Sequence, residues 1–355
     1  MLATQNRPAQ KTIVVAGVDT HKDTHHAAVL DLNGRVLGDR EFPVNTTGYK
    51  TLLDWVAGFG VLDRIGVELT GSYGAGLTRY LTNANVSVLE VNTTDRATRA
   101  RQGKDDAIDA IAAAQKVLSG MASAIPKDTT GATETVRMLK LARDSAVKAR
   151  TKTLNQIKDL RITIPAELRE QLDGLTLKAI AKKARAFRPD RTRLTDPVQG
   201  AKVALQLLGD RVHTLTAEIK VADKDIRALV TALAPTLLGR PGIGIHTTAQ
   251  FLVTIGANID RITDDAAFAR ICGAAPIPVS SGKTHRMRLH RGGDRQANSA
   301  LHIIIVGRFK HHQPTKDYLA RKLAEGKSKR DVIRALKRYV ARDVFNTLKT
   351  DLNRT

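Results

Sequence analysis

Four acids in this chain sit where metal-assisted phosphate chemistry needs them. Asp19 closes an apolar run, TIVVAGVD at 12–19, and Glu68 nearly closes a second, RIGVEL at 64–69. Asp106 and Asp109 lie three residues apart in the alanine-rich stretch DDAIDAIAAAQKVL at 105–118, so on a helix they share one face. Carboxylates gathered from two strand ends and a helix face make an oxygen-rich cage. Hard divalent ions such as Mg²⁺ take that donor set, and a pair of them stabilises both the attacking and the leaving oxygen of an in-line phosphoryl transfer. Taken singly, each acid has an ordinary explanation as a strand-end turn acid, a salt-bridge partner or a solvated helix start. Jointly those explanations fare worse, because an acid closing an apolar strand is unusual and here it recurs. The neighbouring His21, His25 and His26 read as a polar turn after a strand in preference to a transition-metal site.

The elements that must position these acids follow from the pattern around them. Residues 12–19 and 25–32 read as two strands joined by the polar turn Thr20–Thr24, and Asn33-Gly34 is a tight-turn signal that returns the chain as a third strand over 35–42. A helix over 47–57, a strand at 64–69, a helix near 73–83 and a strand at 86–91 complete a mixed α/β sheet, and the segment 105–118, with Asp105 as N-cap, supplies a closing helix. Ribonuclease-H-like nucleases place acids in this order, on the first strand, the fourth strand and a later helix.

Beyond Ile125 the pattern changes. A helix spans about 133–162, turns and short helices fill 163–199, and Leu205, Leu208, Val212, Leu215, Ile219, Ala222, Ile226 and Leu229 repeat as a heptad. That repeat predicts an antiparallel helical hairpin or an oligomerising coiled coil. The glycine turn at 239–244 (GRPGIG) runs into a helix over 247–255, the layout by which helix-hairpin-helix modules hold a DNA phosphate, although a simple turn fits as well. Residues 280–298 (SSGKTHRMRLHRGGDRQAN) read as a basic loop suited to a phosphate backbone.

Charge separates the same regions. Residues 1–125 hold 13 basic and 13 acidic side chains, so the remaining 44 basic and 22 acidic residues carry the entire +22. A neutral part rich in placed carboxylates joined to a strongly basic part points to nucleic acid as the partner. The 355 residues contain no long apolar run, Met1–Gln10 lacks a secretory plan, and the lone Cys272 can form no intrachain disulfide. No membrane span and a cytoplasmic protein are therefore expected.

Five ordered blocks carry a resemblance: GVDTHKD (17–23), VELTGSY (67–73), KDDAIDA (104–110), PGIG (241–244) and GAAPIPVSSG (273–282). Together they resemble the DEDD transposases of the IS110 family. The resemblance implies a RuvC-like domain over 1–125, a helical coiled-coil linker over 126–235 and a mostly helical C-terminal transposase domain over 236–355. Because the motif K-x-D-x-x-D-A falls on Lys104, Asp106, Asp109 and Ala110, it assigns the tetrad to Asp19, Glu68, Asp106 and Asp109, with Asp105 a bystander. It also assigns Ser281 as a nucleophile. Pattern alone reads that serine as a turn residue before Gly282, with Ser280 the adjacent alternative.

The resemblance further implies DNA cutting and rejoining through a phosphoserine, with two Mg²⁺ ions per acidic site and Mn²⁺ able to substitute. It implies a structured guide RNA and a dimer or tetramer as well. Lys283, Arg286, Arg288 and Arg291 are the expected nucleic-acid contacts. The alternative is a Holliday-junction-resolvase-like nuclease with no serine-linked intermediate. A sugar-kinase-like phosphotransferase would need phosphate-binding glycine loops, and a plain nucleic-acid binder would leave the acids idle.

Overall fold

The computed structural model describes residues 12–92, 105–282 and 284–354, the side chains of 284–286 and 289 excepted. Lys104, Lys283 and the Arg286 side chain therefore lie outside the described residues. The chain divides into two compact units, residues 1–131 with 255–263, and residues 132–254 with 264–355.

The first unit is built on a five-stranded sheet. Its elements are β1 (Ile13–Thr20), β2 (Thr24–Asp31), β3 (Val36–Pro43), α1 (Thr46–Ala57), β4 (Val61–Glu68), α2 (Ala75–Asn83), β5 (Val88–Val91) and α3 (Asp106–Leu118). The sheet order is β3-β2-β1-β4-β5, with β1–β2 and β2–β3 antiparallel and β1–β4 and β4–β5 parallel. This is the mixed sheet expected from the sequence. The β2–β3 turn forms at Asn33-Gly34, where Gly34 takes φ +83° and the Asp31 carboxylate accepts from the backbone N–H groups of Asn33 and Arg35.

Helices cover both faces of the sheet, which is why β1 is buried over seven of its eight residues. Val14, Ala16, Val18, Ile65 and Val67 pack with Leu52, Val56, Leu77 and Leu81 of α1 and α2, while Val15, Ala28, Leu30 and Val91 pack with Ala110, Ala113, Ala114 and Val117 of α3. The alanines matter because α3 lies almost on the backbone of the sheet. A Cβ at Gly17 would collide with the Ala114 nitrogen and the Ala110 carbonyl, and one at Gly66 would reach within 2.6 Å of Val117 Cγ2. These two glycines are register partners on β1 and β4, and they open the space that α3 fills.

The second unit is mostly helical: α4 (Gly131–Thr163), α5 (Ala166–Glu170), α6 (Leu177–Ala184), α7 (Pro197–Leu233), α8 (Pro235–Leu238), α9 (Ile245–Ile255), α10 (Asp265–Ile271), the hairpin β6 (Pro276–Ser281) and β7 (Thr284–Leu289), α11 (Arg295–His311), α12 (Gln313–Ala324) and α13 (Lys329–Leu352). The heptad lies inside α7, which starts with Pro197 in its first turn behind an Asp196 N-cap. Leu205, Val212, Ile219 and Ile226 are buried, while Leu208, Leu215, Ala222 and Leu229 are half-buried. Ile157 of α4 shares a core with Leu205 and Val212 of α7, and Arg143 of α4 bonds Asp223 of α7 at 2.9 Å, so the two helices run antiparallel.

In α13, Leu336, Val340, Val344 and Leu348 form the buried stripe at helical spacing. The buried Asp351 carboxylate accepts from Thr236 and Leu237 N–H at the start of α8, which satisfies a charge that burial would otherwise make costly. Among the described residues no helix is long and apolar enough to cross a membrane.

One expectation needs correction. Residues 280–298 are not a loop: their first part completes the β6–β7 hairpin and residues from Arg295 onward begin α11. Pro276 and Pro278 argue against a strand over β6, and β7 is short and mostly polar, so neither reads as a strand from the sequence.

Candidate active site

The strand ends of the first unit determine where its acids point. Gly17 and Gly66 are in register and both face α3. Side chains two residues further along each strand share that face, so Asp19 and Glu68 end adjacent parallel strands on the α3 side, about 4.8 Å apart in backbone terms. The Thr20 hydroxyl donates to the Glu68 carbonyl at 3.0 Å and ties the strand ends together. Leu69 follows with φ +49°, a left-handed conformation that costs a non-glycine residue roughly 1–2 kcal/mol and turns the chain away directly after Glu68.

From above the sheet, α3 supplies the remaining acids. Asp105 caps the helix by accepting from Ala107 N–H at 3.0 Å, which leaves Asp106 and Asp109 in the first turn. Asp109 is buried beside Ala110, and Asp106 is half-exposed. Asp105 is thus a cap, as expected, and its neighbour faces the site.

Asp19 is 5% exposed and Glu68 is 2% exposed, so neither is a solvated surface charge. Burial pushes the Asp19 carboxyl above its ordinary range, His21 pulls it back, and Asp109 and Asp106 push it further up. Asp106 and Asp109 therefore both bear electrostatically on Asp19, and Glu68 shares the Asp19 face of the sheet.

His21 was missing from the sequence-based site. Its Nε2 lies 3.3 Å from Asp19 Oδ2 and 3.0 Å from Asp106 Oδ1. Asp19, His21 and Asp106 each present a ligand atom within 4.8 Å of the others. The signal was the spacing D-x-H, because residues two apart at a strand end share a face. The other two histidines do different work: His25 is buried and stacked on Tyr49 at 5.8 Å, and His26 bonds Asp39 at 2.7 Å. The carboxylate-and-imidazole donor set fits a divalent cation, hard or borderline.

The second unit places Ser281 as the last residue of β6, paired with Thr284 across a tight turn in which Gly282 takes φ +55°. Ser280 and Ser281 are both exposed, and successive strand residues face opposite sides of the ribbon, so the two hydroxyls are not interchangeable. Below the tip, Gly293 packs against Gly273 so closely that a Cβ would collide with the Gly273 backbone, and Asn298 donates to the carbonyls of Cys272 and Gly273 at 2.9 and 3.0 Å. A rigid base thus presents an exposed tip. Arg288 and Arg291 are exposed along and just beyond β7.

The glycine turn before α9 is held by Arg308 of α11 and by Thr247 of α9. The Arg308 guanidinium donates to the Pro241 carbonyl at 2.8 Å, and the Gly244 N–H lies 3.0 Å from the Thr247 hydroxyl.

Residues 16–161 match a family model described as a transposase of the DEDD type, and residues 234–320 match the model of the IS116/IS110/IS902 transposase family. Among curated proteins, the chain is 27% identical over 327 residues to the mini-circle transposase candidate for IS117 of Streptomyces coelicolor, a match covering 77% of this chain and 78% of that one. It is 28% identical over 150 residues to an uncharacterized 43.6 kDa protein of insertion element IS110 from the same organism, covering 41% of this chain and 37% of the relative. An uncharacterized 42 kDa protein of IS900 from Mycobacterium paratuberculosis is 24% identical over 182 residues, covering 46% and 45%. The matches to the second and third of these span less than half the length of each relative.

Proposed function

Given that this chain belongs to the IS110 family of transposases, we propose that it cuts and rejoins DNA with two chemistries on one polypeptide. One is a divalent-cation site of Asp19, Glu68, Asp106 and Asp109, and the other is nucleophilic attack by Ser281. The observation that carries the reading is the approach of the α3 acids to the end of β1, where His21 Nε2 lies within 3.3 Å of both Asp19 and Asp106 and the buried Asp109 bears on Asp19 as well. The sheet order and the placement of the acids support a ribonuclease-H-like domain.

The four carboxylates would hold the ion or ions, with Mg²⁺ the expected metal. When bound, it supplies Lewis-acid stabilisation of the charge that develops on a phosphodiester in flight. The protein's own contribution is placement: β1 and β4 fix two carboxylates from below, and α3 fixes two from above. In the second unit, Ser281 Oγ attacks phosphorus, an Oγ–P bond replaces one P–O bond, and a deoxyribose hydroxyl leaves with a proton. Attack by a hydroxyl of another strand on the phosphoserine reverses the exchange and restores the serine, so no ligation cofactor is needed. Arg288 and Arg291, with Lys283 and Arg286, hold the strand by its phosphates. A guide RNA selecting the sequence and assembly as a dimer or tetramer complete the reading. The half-buried Leu215, Ala222 and Leu229 of α7 support a partner helix.

A second reading, a junction-resolving nuclease without a serine intermediate, is favoured by the fact that the acids gather within one unit. Strand cleavage by purified protein with Mg²⁺ and a candidate guide RNA tests the proposal. The reading predicts that cleavage disappears with chelator or Asp19→Asn and that Ser281→Ala also stops it, whereas the nuclease reading predicts that Ser281→Ala still cuts.

A further inference from the structure

A single imidazole nitrogen in the first unit faces two carboxylates. His21 Nε2 is 3.3 Å from Asp19 Oδ2 and 3.0 Å from Asp106 Oδ1. One N–H points along one line, so a proton on that nitrogen serves one oxygen well and the other poorly. A divalent cation among the three atoms serves all of them. Ligands held about 2.1 Å from an octahedral ion, at right angles to one another, are separated by about 3.0 Å, close to the 3.0 and 3.3 Å of these two contacts.

The placement of the ring supports the same assignment. His21 directly follows β1 on the Asp19 face, its N–H bonds the Thr24 carbonyl at 3.1 Å in the β1–β2 turn, and its side chain is 38% exposed. The ring is therefore anchored through its backbone while its tip is open to the site and to an ion arriving from solvent. Buried Asp19 beneath it and Asp106 beside it come from different elements, a strand end and a helix start, so the trio is fixed by the fold and not by a flexible loop.

We propose that His21 is a direct ligand of the cation held by Asp19 and Asp106, so that this site carries a nitrogen donor among its oxygens and binds Mn²⁺ more tightly than its carboxylates alone would. The assignment rests on the reading of the acids as a cation site. Imidazole binds first-row transition ions well and Mg²⁺ poorly, so removing it costs the two ions unequally. Mn²⁺ affinity falls at least about tenfold in His21→Ala, while Mg²⁺ affinity changes by less than about threefold.

The test is pulsed electron paramagnetic resonance on the full chain loaded with Mn²⁺, together with Mn²⁺ and Mg²⁺ titrations of wild type, His21→Ala and Asp19→Asn. Nitrogen modulation of the wild-type Mn²⁺ echo, lost in His21→Ala along with the tenfold affinity, is the expected result. Mn²⁺ bound with no nitrogen modulation in the wild type overturns the assignment of His21 and leaves the acidic site standing. Modulation that persists in His21→Ala overturns it too, because another histidine is then the ligand. Mn²⁺ binding indifferent to Asp19→Asn overturns both this inference and the reading of the acids beneath it. The wild-type spectrum needs no variant, so a failure of His21→Ala to fold does not block the test.

Discussion

The two units present their proposed reactive groups in opposite ways. In the first, Asp19, Glu68, Asp106 and Asp109 are set on strand ends and a helix that a pair of glycines allows to lie on the sheet. In the second, Ser281 stands exposed at the tip of a two-stranded ribbon whose base alone is tightly held. Cation chemistry needs several groups fixed to a fraction of an ångström, and packing against a core provides that. A nucleophile that must reach a phosphodiester, form a bond and release it needs reach and exposure. Each unit therefore has the architecture its proposed chemistry would require, and separate variants can damage one and spare the other.

The largest effect is expected at the acids. Asp106→Asn removes a charge from the cation site without touching the core, and loss of several kcal/mol of transition-state stabilisation should slow strand cleavage by about a thousandfold or more. A cleavage time course checks this, and the hairpin's DNA contacts should be unaffected in a binding assay.

Next is Gly17→Val, which breaks the first unit's side of the comparison mechanically. Its side chain would be driven into α3, and overpacking should cost about 3 kcal/mol or more of stability. Denaturant unfolding should show an earlier transition, and cleavage should fall with it. Removing Arg288 and Arg291 together is gentler. It should lower the slope of log affinity against log salt by about 2, near 0.9 per phosphate contact, with the fold intact.

Gly282→Ala acts at the ribbon tip. A side chain at φ +55° costs about 1 kcal/mol locally, and amide exchange should quicken across β6 and β7 while the first unit stays unchanged. Cys272 gives the smallest signal. Burial pushes its thiol well above the ordinary range, so a thiol reagent should label it after denaturation and hardly at all in the native protein.

The first unit was largely legible in the sequence because its elements announce themselves. β-Branched runs, Asn33-Gly34 and the alanine-rich helix capped by Asp105 all carry local signals, and strand boundaries moved by no more than three residues. What stayed hidden was His21, since a histidine in a polar turn looks solvated until the helix opposite is in place. The ribbon at 276–289 was hidden for a different reason: Pro276 and Pro278 argue against a strand over its first half, and its second half is short and mostly polar. Ser281 is the extreme case: no pattern distinguishes a reactive serine from a turn serine, and its assignment rests on the resemblance of the surrounding block.

Covalent trapping tests the central claim of two chemistries most directly. Protein, Mg²⁺, candidate guide RNA and end-labelled DNA are incubated and run on a denaturing gel for wild type, Ser281→Ala, Ser280→Ala and Asp106→Asn. A labelled protein adduct that survives Ser280→Ala but vanishes in Ser281→Ala and Asp106→Asn is the predicted result. Cleavage with no adduct, indifferent to both serine changes, would contradict it and leave a hydrolytic nuclease.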